Sequence, residues 1–200
     1  VVCRRSALLK RIAGHGAMAL VSLGAKEMNQ RLSVPAYAER LGVAALNSPD
    51  STVIAGDVMA VETLLAALTE EGIFSRRIDV DFASHGPHVD SLEGDLVAGL
   101  GGIAPRQAAL EFRSTVTGEI ADGTELDAEY WFANLRQPVR FADVIEGLWS
   151  ESPCLMVEMS PHPLLGFAME ELRLAAGGQG GTLVSLQREK PELATLQEAL

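Results

Sequence analysis

Apolar residues recur along this chain at two spacings, and the points where one gives way to the other divide it into elements. Val1, Val2, Leu8, Leu9, Ile12 and Ala13 fall on one arc at about 100° per residue, which predicts an amphipathic helix over residues 1–13. Arg4, Ser6, Lys10 and Arg11 lie outside that arc. No capping residue precedes the helix and the chain opens without methionine, so the segment reads as the middle of a helix in a longer polypeptide. Gly14–Gly16 breaks it, and Ala17–Leu23 predicts a short strand. A second helix, carrying Glu27, Gln30 and Leu32, stops before Pro35. Val43–Leu46 and Thr52–Ala55 flank the turn signal Asn47-Ser48-Pro49-Asp50 and predict a hairpin. Asp57 caps a helix with Val61, Leu64, Leu65 and Leu68 at helical spacing, ending at Gly72. Ile73–Phe82 predicts a strand, with Ile78, Val80 and Phe82 alternating against Arg77, Asp79 and Asp81. From residue 17 to about 80 the order is βαββαβ, the ferredoxin-like split βαβ, a small unit that reads as inserted into something else.

Beyond residue 86 the pattern changes to a longer helix and strand alternation. Val89, Leu92, Leu96, Val97 and Leu100 make a helical stripe, and Phe112–Val116 predicts a strand before Thr117-Gly118. Phe141–Trp149 predicts a helix, Cys154–Val157 a buried strand, Pro163–Leu174 a helix and Thr182–Leu186 a last strand. The Gly-rich tract 175–181 reads as a loose connection.

At 48% hydrophobic and 22% charged over 200 residues, the chain has enough apolar content for a packed core. Its net charge of −11 offers no broad cationic field, which argues against nucleic acid or an anionic membrane as partner. No apolar run approaches the roughly 20 residues of a membrane span and no signal-peptide pattern is present, so a cytoplasmic location is expected. Cys3 and Cys154 stand alone, supporting neither a disulfide framework nor a zinc site, and read as buried small hydrophobes.

Two residues carry candidate chemistry. His85 lies after the strand predicted to close at Phe82, where α/β sheets collect ligands, and an imidazole there is a candidate general base or a hydrogen-bonded structural histidine. Arg5 sits at the centre of the first helix's apolar arc with no Asp or Glu three or four residues away. A guanidinium in that place needs a distant carboxylate or a ligand anion. His15 and His88 read as surface residues, and His162 as a turn element between a strand and a helix. The spacing His85-x-x-His88 lacks a third ligand, so no metal is expected. Neither G-x-S-x-G nor a phosphate-binding glycine loop occurs, so a histidine base lacks its nucleophile within these residues.

Several segments, in order, resemble the acyltransferase domain of modular type I polyketide synthases, relatives of the malonyl-CoA:acyl-carrier-protein transacylases. They are Arg5-Ser6 followed by Gly14-x-Gly16-Ala17-Met18-Ala19; Ala45-Leu46-Asn47-Ser48-Pro49; Val80-Asp81-Phe82-Ala83-Ser84-His85; Phe112-x-Ser114-Thr115-Val116-Thr117-Gly118; Tyr130-Trp131-x-x-Asn134-Leu135-Arg136-x-Pro138-Val139-x-Phe141; and Glu158-x-Ser160-Pro161-His162-Pro163. The resemblance implies an α/β-hydrolase-like large subdomain, residues 1–15 and 81–181, with a ferredoxin-like small subdomain, 16–80, inserted in it. Residues 182–200 would be the last strand and the start of the linker that follows the domain. It further implies that His85 resembles the catalytic histidine, which activates a serine and protonates the departing coenzyme A thiolate. Arg5 resembles the arginine that grips the extender unit's carboxylate, and Asn134 the position whose backbone carbonyl orients the histidine. Phe82 and Ser84 belong to the substrate-binding signature: Phe82-Ala83-Ser84-His85 is closer to the methylmalonyl form than to the malonyl form, because serine leaves room where a phenyl ring would fill it.

The implied substrate is an acyl-CoA, with no bound cofactor, and the acceptor is the phosphopantetheine thiol of an acyl carrier protein. Neighbouring ketosynthase and linker domains are the other implied partners. The serine, its elbow and most oxyanion donors would precede Val1, so these residues alone are expected to form no acyl-enzyme. A stand-alone transacylase of fatty-acid synthesis and a non-catalytic interaction module stay open as alternatives.

Overall fold

The computed structural model describes residues 1–198, so Ala199 and Leu200, at the end of the expected linker, lie outside the described residues. Helix α1 (Val2–Leu9) passes through a 3-10 turn, Lys10–Ile12, into strand β1 (Ala17–Val21). Then follow α2 (Ala25–Leu32), β2 (Leu41–Ser48), β3 (Ser51–Gly56), α3 (Val58–Glu70) and β4 (Ser75–Arg77). The four strands form one sheet in the order β2-β3-β1-β4, every neighbouring pair antiparallel. This is the ferredoxin-like arrangement.

Alternation in β1 splits the sheet's two faces. Ala17, Ala19 and Val21 face a fully buried layer with Met28 and Leu32 of α2 and Val61, Leu64 and Leu68 of α3. Met18 and Leu20 face the opposite side together with Ala55 and Val53, their partners across the ladder, and Ala44 of β2; Val80, Ala83 and Val139 pack against them. Asp57 starts α3 as expected, its carboxylate accepting the Ala60 amide at 2.9 Å.

The expected strand over Ile73–Phe82 is shorter than its alternation suggests. Pairing runs from Val21 opposite Ser75 to Ala19 opposite Arg77, and Ile78 donates one more bond to Met18 before the chain leaves the ladder. The reason lies in the partner: β1 begins at Ala17 after the glycine break, so residues 79–84 have no strand to continue against. They run instead beside the incoming chain, where the Gly14 amide donates to the Asp81 carbonyl at 2.6 Å. The insert's entry and exit therefore touch.

The larger part follows in order. A 3-10 helix, Pro87–Leu92, precedes α4 (Glu93–Leu100); β5 (Phe112–Arg113) and β6 (Ile120–Ala121) form a two-residue hairpin; then come α5 (Ala128–Arg136), α6 (Phe141–Glu151), β7 (Cys154–Glu158), α7 (Gly166–Ala176), β8 (Gly180–Val184) and α8 (Glu192–Glu198). The strand expected over Phe112–Val116 stops at Arg113, because Ser114 turns inward, fully buried, its hydroxyl 2.8 Å from that of Tyr130 and accepting the Val116 amide. α7 begins at Gly166 and not at Pro163: the buried Glu158 carboxylate draws the Leu164 and Leu165 amides to itself at 2.7 and 3.1 Å, holding that stretch as a turn. The last strand starts earlier than expected, at Gly180, where the chain lies so close to the Cys154 carbonyl of β7 that no side chain fits.

Leu8, Leu9 and Ile12 of the first helix pack with Val89, Leu96, Leu100, Ala128 and Leu135, but Val1 and Val2 are exposed, so the predicted apolar arc is covered only at its far end. Cys3 is exposed for the same reason and Cys154 is half-buried, against the reading of both as buried. The stretch between α5 and α6 joins the two parts. Val139 donates to Ala44 at 2.8 Å and accepts from Leu46 at 3.0 Å, lying along the free edge of β2.

Candidate active site

The end of α5 organises the site. Asp127 caps the helix, accepting the Tyr130 amide at 2.9 Å, and Pro138 limits its length, since the residue before a proline is pushed out of helical conformation. Gln137 accordingly takes an extended conformation, φ −80 and ψ 151. Its carbonyl leaves the helical direction, and that of Leu135 is one of the carbonyls a helix end leaves for outside donors.

His85 takes both. Its amide donates to the Leu135 carbonyl at 2.9 Å, and its Nδ1 lies 2.9 Å from the Gln137 carbonyl. A carbonyl can only accept, so the neutral ring carries its proton on Nδ1 and leaves the Nε2 lone pair free. The residue sits at φ 59, the left-handed region that histidine enters more readily than most residues. Burial pushes its pKa below the ordinary value, the Arg5 charge pushes the same way, and the bond to Gln137 opposes them. Such an imidazole stays neutral into mildly acidic solution and can accept a proton.

Arg5 projects from α1 to the same helix end, where its Nη1 donates to the Asn134 side-chain oxygen at 3.0 Å. Its neighbours in charge find acids, Arg11 with Asp95 and Arg136 with Asp90. Arg5 pairs with no carboxylate among the described residues, and its charge is felt at His85. The last turn of α5 and the residue after it thus hold the two groups singled out from sequence: Asn134 holds Arg5, while Leu135 and, past the helix end, Gln137 hold His85.

A scan against family models matches residues 1–200 to the acyl transferase domain. The chain belongs to the acyltransferase domain family. Among curated proteins, this acyltransferase sequence is 43% identical over 189 residues to a spectinabilin polyketide synthase system protein, NorC of Streptomyces orinoci, covering 94% of the chain and 8% of that protein. Among solved structures it superposes on the acyltransferase domain from module 8 of the salinomycin polyketide synthase with a TM-score of 0.93 and 42% identity, covering 98% of the chain and 46% of the other. The acyltransferase domain of SpnD in complex with 2-(pent-4-yn-1-yl)malonyl matches at a TM-score of 0.82 and 28% identity, over 99% of the chain and 47% of the other. The chain therefore spans about half of these solved acyltransferases and a small fraction of the synthase. Its architecture is theirs: an α/β-hydrolase-like large subdomain with a ferredoxin-like small one.

For the acyltransferase site, geometry corrects one assignment. The carbonyl on His85 Nδ1 belongs to Gln137, not Asn134, whose side chain is engaged with Arg5 instead. The signal was present in the sequence as Gln137-Pro138, a helix stop that frees a carbonyl. Ser84 is buried and its hydroxyl donates to the Met18 sulfur at 3.3 Å. Phe82 is half-buried and lines, with Ser6, Leu9, Lys10, Ala13 and Asp81, a pocket of about 200 Å³. His162 accepts the Arg188 amide at 3.4 Å in the turn ahead of α7. His15 is exposed, His88 is half-buried beside Arg40, and no cluster able to hold a metal occurs among the described residues. Among them, too, no helix is long and apolar enough to cross a membrane.

Proposed function

We propose that this chain is the histidine-bearing part of a polyketide synthase acyltransferase that moves a carboxyacyl extender unit from coenzyme A, through a serine ester, to the phosphopantetheine thiol of an acyl carrier protein. The observation that carries the reading is the meeting of His85 and Arg5 at the end of α5. In this reading His85 Nε2 takes the serine proton during attack on the thioester and returns it to the departing thiolate. Arg5 holds the extender's free carboxylate in its fork, the acid that no side chain among the described residues supplies. Gln137 keeps the imidazole in the required tautomer, as a carboxylate does in a hydrolase triad. The substituted malonyl group in the SpnD complex is of the same chemical class.

The serine comes, in this proposal, from a further part of the acyltransferase, and the surface supports it. Leu155 and Val157 alternate on β7 and stand exposed, as do Met159, Leu164 and Phe167, which follow it in the chain. Leu155 and Val157 form an uncovered face on a two-stranded parallel sheet, and parallel sheets are ordinarily covered on both faces. The ketosynthase and the carrier protein are the partners that the multidomain relatives imply. Methylmalonyl is the preferred extender in this reading, since Ser84 is small and turned to Met18, leaving room for an α-substituent.

The test joins this chain to a serine-bearing segment and follows loading by intact mass. Methylmalonyl-CoA is expected to load, malonyl-CoA less well, and acetyl-CoA not at all. Arg5→Gln is expected to lower kcat/KM for the carboxyacyl thioesters about 10- to 100-fold, the worth of one or two charged hydrogen bonds, and to raise the His85 pKa by removing a nearby positive charge. A folded protein that loads no carboxyacyl-CoA, or an Arg5→Gln variant with unchanged selectivity against acetyl-CoA, would overturn the reading.

A further inference from the structure

Gly16 is buried immediately before β1, yet it is not among the glycines with left-handed backbone, so its conformation does not explain the residue. Its surroundings do. A Cβ at this position would lie 2.7 Å from the Ala83 Cβ and 3.0 Å from the Phe82 carbonyl carbon, and closer still to the Ala83 amide nitrogen. Two of these three neighbours are backbone, which cannot swing aside as a side-chain end can. Ala83 itself is 1% exposed, wedged among Met18, Ala44 and Ala55.

The segment pressed against Gly16 is the one that ends in His85, and it is held from two sides. On the β1 side, Asp81 accepts from Gly14 and Ser84 donates to Met18. On the α5 side, His85 donates its amide to Leu135 and sets its ring on Gln137. The left-handed backbone at His85 turns the chain sharply between these two supports. A methyl group at residue 16 would therefore push Ala83 away from β1 and carry the imidazole, two residues on, across the Gln137 carbonyl.

We propose that Gly16 is a positioning residue for His85, its missing side chain setting how closely the 82–85 segment approaches β1 and so the registry of Nδ1 with Gln137. The kinetic half of this inference rests on His85 being the proton-transfer group; the geometric half does not. Gly16→Ala is to be compared with Gly42→Ala, a strand glycine whose added Cβ would meet nothing within 4 Å. In the chain itself, the ring nitrogens of His85 are followed by NMR. Wild type and Gly42→Ala are expected to show the single Nδ1–H tautomer, and Gly16→Ala a tautomer mixture with a displaced pKa. In the serine-bearing acyltransferase, Gly16→Ala is expected to lower kcat about 10²-fold, the usual cost of an ångström-scale misplacement, with KM within about twofold.

Should Gly16→Ala fail to fold, Ala83→Gly loosens the same contact without a clash and is expected to give the tautomer mixture with a smaller loss of kcat. A wild-type ring spectrum in folded Gly16→Ala, or in Ala83→Gly where that variant stands in for it, overturns the positioning role. A shifted tautomer with undiminished transfer upholds the geometry and removes His85 from the chemistry.

Discussion

In the serine-bearing acyltransferase, with His85 in its proposed role, His85→Ala is expected to lower acyl transfer about 10²- to 10⁴-fold, the usual contribution of a positioned acid–base group, while the protein keeps its fold. The ring stands at the end of α5, half-buried, and its removal leaves one main-chain carbonyl, that of the exposed Gln137, free to meet water. The backbone bond from His85 to Leu135 survives the substitution. Saturation kinetics and a thermal melt separate the outcomes: a large fall in melting temperature with transfer intact would make His85 a structural residue. The pH dependence follows from the same geometry. In the proposed role transfer needs the neutral ring, so kcat/KM should rise with pH on the acid side, with its midpoint below the ordinary 6.5 since burial and Arg5 both disfavour the proton. Stability follows the same direction. The unfolded chain takes up this proton near 6.5 and the folded one only at lower pH, so the contribution is complete above 6.5 and is lost as pH falls through the folded value. A midpoint above 6.5 that disappears in His85→Ala would contradict this.

Leu68→Ala is expected to destabilise the protein by about 2–5 kcal/mol, read as a lower urea midpoint with unchanged slope. Leu68 is 0% exposed and closes the layer between α3 and the sheet, with Val61 and Leu64 on the same face and Ala19, Val21 and Ile54 opposite. The neighbouring strands cannot collapse into the void, since their spacing is fixed by the ladders of β1 with β3 and β4. Met59→Ala on the same helix, at 64% exposure, should change stability by no more than about 0.5 kcal/mol. Equal effects at the two positions would show that α3 does not pack as described.

The insert was the most legible part of the molecule in sequence. Asp57, the alternation in β1 and the Asn47–Asp50 turn act through neighbours close in the chain, and each appears where its residues place it. Strand ends were less legible, because they depend on a partner: β4 stops where β1 lacks a continuation, and β5 stops where Ser114 is recruited by Tyr130. At the site, an arginine without a local acid and a histidine beside a glycine–proline turn stood out by residue type. Gln137 did not, since it acts through a carbonyl that every residue possesses, and only the following proline marks it. Gly16 was visible only as part of a motif; what it excludes is a matter of three-dimensional approach.

The crossing of Gly14 with Asp81 has a consequence for how the two parts could be separated. An insert whose two ends touch can be cut out and its host rejoined by a very short link, with little entropic cost to the host's own closure. The same excision would strip β2 from Val139, and with it the support two residues downstream of the carbonyl that steadies the imidazole. The small sheet is thus detachable in topology but not in support: a host trimmed of it should close its chain and lose the fixed setting of the His85 ring.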